Sequence, residues 1–570
     1  MMLETTLKTE FVPGTNLTGG LASASWRFLL PGLQLENVLC VAVPAIATLN
    51  VLSQHCKNLT VISTDARELE IARQKIARQG DSQLRMIHAH DFKRLPLEDR
   101  SLDLILLAGE NGLALVQNSP TLHEEFDRLL TNEGTVYFEI TTLRQRLRVR
   151  RVLRRLCDDG FKRTRVFWLT PLRGELRTAF PLGDEQMTRY LLSHVLFGQS
   201  FKKRAASRLG TMLSQSGWFT KLMPRRAVML QRSQQQEQVS HAPQYLVDLA
   251  KPAGLDLRQY RFGLSARGKY NSNKTIFYAF EKTSARADLV VKMTRAPQFN
   301  ARLENEYRVL ALLEQHGYVE RETFPRPLFF GHHAGLVVVG QKAVYGEPFR
   351  SRTQGMAQCP LAGQTLAWMT KLAASSAQKS SAAEVGTVLE KLLQRFMAIY
   401  PFAKSESAFL SNQIQTLSRS AQAFPLVFQH GDPGTWNMLV SPEGKLIVID
   451  WEAGEPQGMP LWDLFYFMRS FGNWCARCSG VRDALKAFTN NFIAPSEVGA
   501  LLIETVEDYC GRVGLDRRLT GPLFYTCLMH RAMKESTRLT RNELEAGHYF
   551  NLLKLVIAEH ESPALQALLG

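Results

Sequence analysis

The spacing of apolar and polar positions changes several times along the chain. Between residues 37 and 140, short apolar runs (NVLCVAV at 37–43, LTVISTD at 59–65, LRMIHAHD at 84–91, LDLILLAG at 102–109 and TVYFEI at 135–140) alternate with segments whose apolar residues recur at helical spacing, such as ATLNVLSQHC, ARELEIARQKIARQ and HEEFDRLL. Repeated strand and helix units of this length predict an α/β, doubly wound parallel sheet, with ligands bound outside the carboxyl ends of its strands. Residues 168–190 read as an added layer or a connection, not a further sheet unit. The polar run QRSQQQEQVSHAPQ, at 231–244, reads as the best domain boundary. Beyond it RQYRFGLSA (258–266), KTIFYAFE (274–281) and ADLVVKM (287–293) read as strands, ARLENEYRVLALLEQHG (301–317) as a helix, and 324–349 as two more strands. From Leu361 the pattern is largely helical, so the second half is α+β.

Composition narrows the class. A chain of 570 residues is too long for one core, and 45% hydrophobic residues exclude general disorder. The start, MMLETTLKTEFVPG, lacks the basic and apolar regions of a signal peptide, and no stretch reaches the ~18 apolar residues of a spanning helix, so the cytoplasm is the expected compartment. Eight cysteines are too few for a disulfide scaffold. Cys475 and Cys478 have no second pair beside them and read as reduced thiols, not a zinc site.

A formal charge of +16 points to an anionic partner. Arginines crowd residues 144–165, and residues 201–232 carry Lys202, Lys203, Arg204, Arg208, Lys221, Arg225, Arg226 and Arg232 without an acidic residue. Met212, Leu213, Trp218, Phe219, Leu222 and Met223 are interleaved with them, a mixture that suits an anionic membrane surface or a lipid-linked substrate. A solvated basic face over an ordinary helix explains the same residues. No nucleic-acid recognition motif accompanies the charge.

The stretch with most chemistry is VFQHGDPGTWNMLVSPEGKLIVIDWEAG, residues 427–454. MLV (438–440) and LIVI (446–449) flank a turn-forming Ser-Pro-Glu-Gly-Lys, so a hairpin is expected to fold Asp450 back beside Asn437. Phosphoryl transfer uses one carboxylate to receive a hydroxyl proton, and an amide oxygen with a second carboxylate to hold Mg²⁺ against phosphates. His-x-Asp-x-x-x-x-Asn followed by Ile-Asp-Trp-Glu resembles the aminoglycoside phosphotransferase and choline kinase group, whose fold is that of the protein kinases. That resemblance implies Asp432 as catalytic base, Asn437 and Asp450 as magnesium ligands, His430 as a brace of the catalytic loop, and Asp463 as the residue tying the next helix to it. It also implies that Lys292, after Val290 and Val291, contacts the α and β phosphates of ATP, with Glu306 its partner ahead of Glu304, and that adenine meets backbone near Lys342 to Val344. The turn at 267–273 is a weaker candidate for phosphate contact. Gly431 stands where protein kinases usually carry Arg, and Trp451-Glu452 where they carry Phe-Gly, so a small hydroxylated molecule or a glycan is the expected acceptor.

The first half resembles the class I methyltransferases that use S-adenosylmethionine. Asp65 then corresponds to the acidic residue at the ribose, and Asp91 with Phe92 to the pair beside adenine; Asp65 also reads as a simple helix cap. The first strand departs from the pattern. Val38 to Ala47 contain neither glycine nor carboxylate, each Cβ stands where close approach is needed, and Pro44 lacks an amide donor. Weak or absent cofactor binding is therefore expected.

The resulting division is a methyltransferase-like domain at 1–170, a basic extension and linker at 171–244, a kinase-like small lobe at 245–348 and a helical large lobe at 349–570. The expected function is an ATP- and Mg-dependent kinase of a small molecule or glycan. Two alternatives are a methyltransferase with a kinase-like binding domain and a non-enzymatic scaffold that binds polyanions. A piece spanning 250–570 is expected to hold nucleotide alone.

Overall fold

The computed structural model describes residues 18–76, 83–89, 92–158, 161–196, 201–216, 218–232, 242–267, 274–353, 355–420 and 423–570. Two compact units emerge: one holds the described residues of 16–303 and 328–343, the other 304–327 and 344–570.

The first unit carries thirteen strands: β1 (Leu35–Val41), β2 (Cys56–Ser63), β3 (Gln83–His88), β4 (Leu102–Leu107), β5 (Leu130–Ile140), β6 (Phe161–Thr170), β7 (Thr178–Pro181), β8 (Arg226–Arg232), β9 (Arg261–Ser265), β10 (Lys274–Phe280), β11 (Leu289–Thr294), β12 (Pro327–His333) and β13 (Leu336–Lys342). They form one sheet in the order β12-β13-β11-β10-β9-β7-β6-β8-β5-β4-β1-β2-β3. The pairs from β3 to β5 are parallel, as the alternating pattern predicts. Leu104, Val38 and Val61 are buried towards one face, and Ile105, Leu39 and Ile62 towards the other, so near-continuous apolar runs fill a core on each side.

The reading of 168–190 as a connection is corrected. Thr178, Ala179 and Phe180 are fully buried in β7, which pairs with β6 on one edge and with β9 on the other. A strand of four residues is too short to show a period. β8 also enters the sheet, between β5 and β6, although its segment reads as basic extension. The run at 231–244 therefore does not separate one sheet from another, because strands before and after it pair. Gly263 of β9 lies under Phe180 of β7, where a Cβ would come within 2.5 Å of the ring. Arg261 adds an ion pair to Asp184 at 2.7 Å.

The second unit holds β14 (Glu347–Pro348), β15 (Gln378–Ser380), β16 (Phe424–Gln429), β17 (Met438–Val440), β18 (Leu446–Val448) and β19 (Glu455–Gly458) in two three-stranded sheets among long helices. The expected hairpin is present: β17 pairs antiparallel with β18, Met438 opposite Val448. Gly444, at φ +82°, makes the turn. The apolar faces of the helices Pro360–Ser376, Trp462–Cys478 and Thr520–Ser536 share one core with these strands. Trp451 is fully buried there, and its indole N–H donates to Val448 O at 3.0 Å. Trp451 thus fills the core, whereas Trp436 is 48% exposed.

Candidate active site

β16 is buried along its length and delivers the chain to His430, the start of the loop. The Asp463 carboxylate, in the first turn of the helix Trp462–Cys478, accepts from the amides of His430 at 2.5 Å and Gly431 at 3.0 Å. Burial raises the Asp463 carboxyl above its ordinary range, while His430 and those two amides oppose the rise. His430 is fully buried, with Nε2 2.9 Å from Ile449 O and Nδ1 accepting from the Asp432 amide at 3.2 Å. One imidazole therefore links both halves of the loop, and the accepting Nδ1 places the proton on Nε2. Gly431 has φ +74°, and a Cβ there would lie 2.0 Å from Ala453 O, so no side chain fits.

Asp432, Asn437 and Asp450 are gathered by this scaffold. The Asn437 side-chain amide donates to Asp432 O at 2.9 Å and Oδ2 at 3.2 Å, so its own oxygen is left for another donor or a cation. The Ile449 amide donates to Asn437 O at 2.9 Å, setting Asp450 next to the Asn437 end of the hairpin. Asp450 is held at φ +69°, a left-handed conformation costing a non-glycine residue roughly 1–2 kcal/mol. The surrounding structure holds it there.

Sequence reading missed the partner of Asp432. Arg531, on the helix Thr520–Ser536, donates from Nη2 to Asp432 Oδ1 at 3.0 Å and from Nη1 to Gly431 O at 2.8 Å. Its guanidinium carbon lies 3.6 Å from the centre of the Tyr466 ring. The available signal was one arginine inside the apolar run TCLMHRAM. Burial pushes the Asp432 carboxyl up, but Arg531, a hydrogen bond from Tyr466 and His430 outweigh it and hold the carboxyl below its ordinary range. The side chain of Asp432 remains 33% exposed.

Lys292 is in β11 and Lys342 ends β13, both in the first unit. Glu306 is fully buried on the helix Asn300–His316, and Val344 follows β13; these two belong to the second unit. The turn residues 268–273 and Asp91 lie outside the described residues.

At the end of β1 the chain turns at once. Ala42 takes φ +65°, and its amide donates to Ile62 O at 2.8 Å. The helix Ile46–His55 starts after Pro44 without a side-chain cap. Asp65 caps the helix Ala66–Lys75, its Oδ1 accepting from the amides of Arg67 at 2.8 Å and Glu68 at 3.3 Å. Phe92 is buried.

In the basic segment, Leu209, Met212, Trp218 and Leu222 are exposed, and the Lys221 ammonium stands over the Trp218 ring at 4.9 Å. Phe219 is instead buried edge-on against Trp168 at 4.5 Å, which corrects its assignment to the surface. Arg225 is likewise buried, paired with Glu139 at 2.9 Å. Among the described residues no helix is long and apolar enough to cross a membrane, no group of three or more His, Cys, Asp or Glu is placed to hold a metal ion, and Cys475 and Cys478 are free thiols.

Residues 268–487 match the phosphotransferase enzyme family, and residues 39–138 match a methyltransferase domain family. The chain thus carries a methyltransferase-like N-terminal domain and a phosphotransferase-like C-terminal domain. Solved structures similar to it include an aminoglycoside phosphotransferase from Streptomyces rimosus (16% identity, 50% of this chain and 96% of that one, TM-score 0.31). A choline kinase from Streptococcus pneumoniae matches at 14% identity over 52% of this chain and 92% of that one, TM-score 0.28. An N-methyltransferase from Bradyrhizobium japonicum matches at 15% identity over 39% of this chain and all of its own length, TM-score 0.23. No curated protein matches the chain.

Proposed function

We propose that the protein is an ATP- and magnesium-dependent phosphotransferase that phosphorylates a hydroxyl of a small molecule or glycan. The observation that carries this reading is the convergence of Asp432, Asn437 and Asp450 on one braced loop and hairpin. An amide oxygen and a carboxylate are the hard oxygen donors that Mg²⁺ takes, with phosphate and water completing its shell. When bound, the cation neutralises charge on the transferring phosphoryl group. Asn437 and Asp450 would hold it; Lys292 would meet the α and β phosphates, with Glu306 as its partner, and backbone near Lys342 and Val344 would meet adenine. Those last four roles rest on the sequence resemblance.

Asp432 would orient the acceptor hydroxyl. As the acceptor oxygen forms its bond to the γ phosphorus, the bond from that phosphorus to ADP breaks and the hydroxyl proton passes to the Asp432 carboxylate. Its lowered pKa keeps this carboxylate ionised at neutral pH and makes it a weak base, suited to taking the proton late. His430 acts as a positioning residue, since its ring nitrogens face groups of the loop. Nucleotide affinity measured with and without Mg²⁺ tests the reading. Wild-type protein should bind ATP more tightly with the metal, and Asp450→Ala should lose that gain. Absence of nucleotide binding in folded full-length protein would remove the phosphotransferase reading.

A second reading concerns location. Exposed Leu209, Met212, Trp218 and Leu222 beside Lys221 and Arg208 suit an anionic lipid surface or a lipid-linked acceptor. Vesicles containing phosphatidylserine should sediment the protein, less so at high salt and less after Met212→Ser with Trp218→Ser. Equal binding to neutral vesicles, or none to either, would exclude it. In the first half, the cofactor S-adenosylmethionine is proposed to bind weakly or not at all, because Ala42, Val43 and Pro44 occupy the turn after β1.

A further inference from the structure

Positive charge gathers around Tyr466, the ring that shares Arg531 with Asp432. Arg531 and Arg469 both stack on Tyr466 and Tyr549: the guanidinium of Arg531 is 3.6 and 5.7 Å from the two ring centres, and that of Arg469 is 5.1 and 4.8 Å away. Arg350 lies 5.6 Å from the centre of the Trp436 ring, and Trp436 meets Tyr466 edge-on at 6.1 Å. Three guanidiniums thus stand against the aromatic rings around Tyr466, and one of them, Arg531, reaches the Asp432 carboxylate. Burial lowers the Arg350 pKa, and repulsion from Arg477 and Arg469 lowers it further, so these cations feel one another.

Compensating carboxylates are few. Asp432 pairs with Arg531, and the neighbouring acids serve the backbone: Glu535 accepts from the Tyr549 amide at 2.8 Å, and Asp483 from the Lys486 amide at 2.7 Å. Among the described residues, the hydrogen-bond partner of the Arg469 guanidinium is His548 Nε2, 3.4 Å from its Nη1. The Nε groups of Arg469 and Arg531 and the hydroxyl of Tyr549 are buried without hydrogen-bond partners. These buried donors, and the Arg469 cation that no carboxylate pairs among the described residues, favour an anionic ligand. A guanidinium fork on an aromatic wall matches a carboxylate or a phosphate in geometry as well as charge.

We propose that the acceptor is anionic: a hydroxylated molecule, such as a sugar, whose carboxylate or phosphate is held by Arg469, with Arg531 positioning Asp432 beside it, while its hydroxyl meets Asp432. This rests on the phosphotransferase reading and deepens it. The same wall disfavours cationic acceptors, because a quaternary ammonium or protonated amine would share the aromatic faces with two guanidiniums. Trp436, half exposed beside Asn437, offers an apolar surface at the mouth of the site.

The test is calorimetry on the full chain saturated with ADP and Mg²⁺, using glucuronate, glucose 6-phosphate, glucose and choline as probes. One or both anions should bind at least about tenfold more tightly than glucose and choline, as one charge-assisted hydrogen bond implies. Which anion is preferred distinguishes carboxylate from phosphate as the group recognised. Arg469→Gln should weaken the preferred anion about 10- to 100-fold and leave ADP affinity unchanged, with Arg469→Lys intermediate and both variants matching wild type in circular dichroism. If Arg469→Gln unfolds the protein, the lysine variant and the salt dependence of the wild type still decide: anion affinity must fall with each. Failure to bind ADP at all would defeat the phosphotransferase reading. ADP binding without a preference for anions, or an Arg469 variant that loses ADP instead, would overturn only the anionic acceptor.

Discussion

Two strand ends in this molecule meet very different loops. After β16, polar groups converge: Asp463 and His430 support the backbone, and Asp432, Asn437 and Asp450 are brought to one place. After β1, the Ala42 amide is spent on Ile62 O, Pro44 has no amide, and no carboxylate stands in the turn. Both loops contain a left-handed residue just past a buried strand. In one the turn is a glycine that lets backbone pass backbone at Gly431; in the other it is an alanine whose methyl is buried. The difference shows that the apolar pattern of a strand sets the fold without setting what the loop after it can hold.

The largest expected effect breaks the active loop directly. Asp432→Asn should lower turnover by about 10²- to 10⁴-fold with nucleotide affinity kept, checked by coupled detection of ADP and by nucleotide titration. Turnover unchanged by this substitution would place the base elsewhere. Next comes the sheet. Because β9 pairs with β7, a piece spanning 250–570 would expose the β9 edge and uncover Gly263 and its neighbours. This reverses the expectation that 250–570 can hold nucleotide alone: the piece should elute as aggregate in size exclusion. A monodisperse piece that binds ATP like the whole chain would show β7 to be dispensable.

Acid sensitivity should be shared by the two regions. Burial, then Arg469, pushes His548 down to about 4, and burial, then Arg27, does the same to His55. Between pH 6.5 and 4 the unfolded chain takes up protons that the folded chain refuses, so stability is full above this window and falls as pH drops. His548→Gln and His55→Gln should each flatten some of the decline in melting temperature. The smallest effect is Asp65→Ala, which removes a helix cap and should cost about 1 kcal/mol in denaturant unfolding. It should not alter any weak S-adenosylmethionine binding.

How much of this was legible depended on sequence distance and element length. The hairpin was readable because two apolar triplets flank a five-residue turn of strong turn formers, and that local geometry sufficed to bring Asp450 to Asn437. Arg531 was not, since its pairing with Asp432 spans 99 residues and depends on how the helix Thr520–Ser536 packs. β7 escaped because four residues carry no periodicity, and β8 because arginines at both ends hid an apolar centre. Trp218 and Phe219 looked equivalent as neighbours in a basic run. On a helix, adjacent residues point about 100° apart, and only Phe219 reaches Trp168.

The contrast between the two loops is tested most directly by titrating one full-length preparation, in parallel, with ATP in the presence of Mg²⁺ and with S-adenosylmethionine. ATP should bind saturably and lose affinity when Mg²⁺ is removed, whereas S-adenosylmethionine should give weak binding or no saturable signal. Micromolar binding of S-adenosylmethionine, abolished by Asp65→Ala, together with no binding of ATP, would contradict the account at its centre.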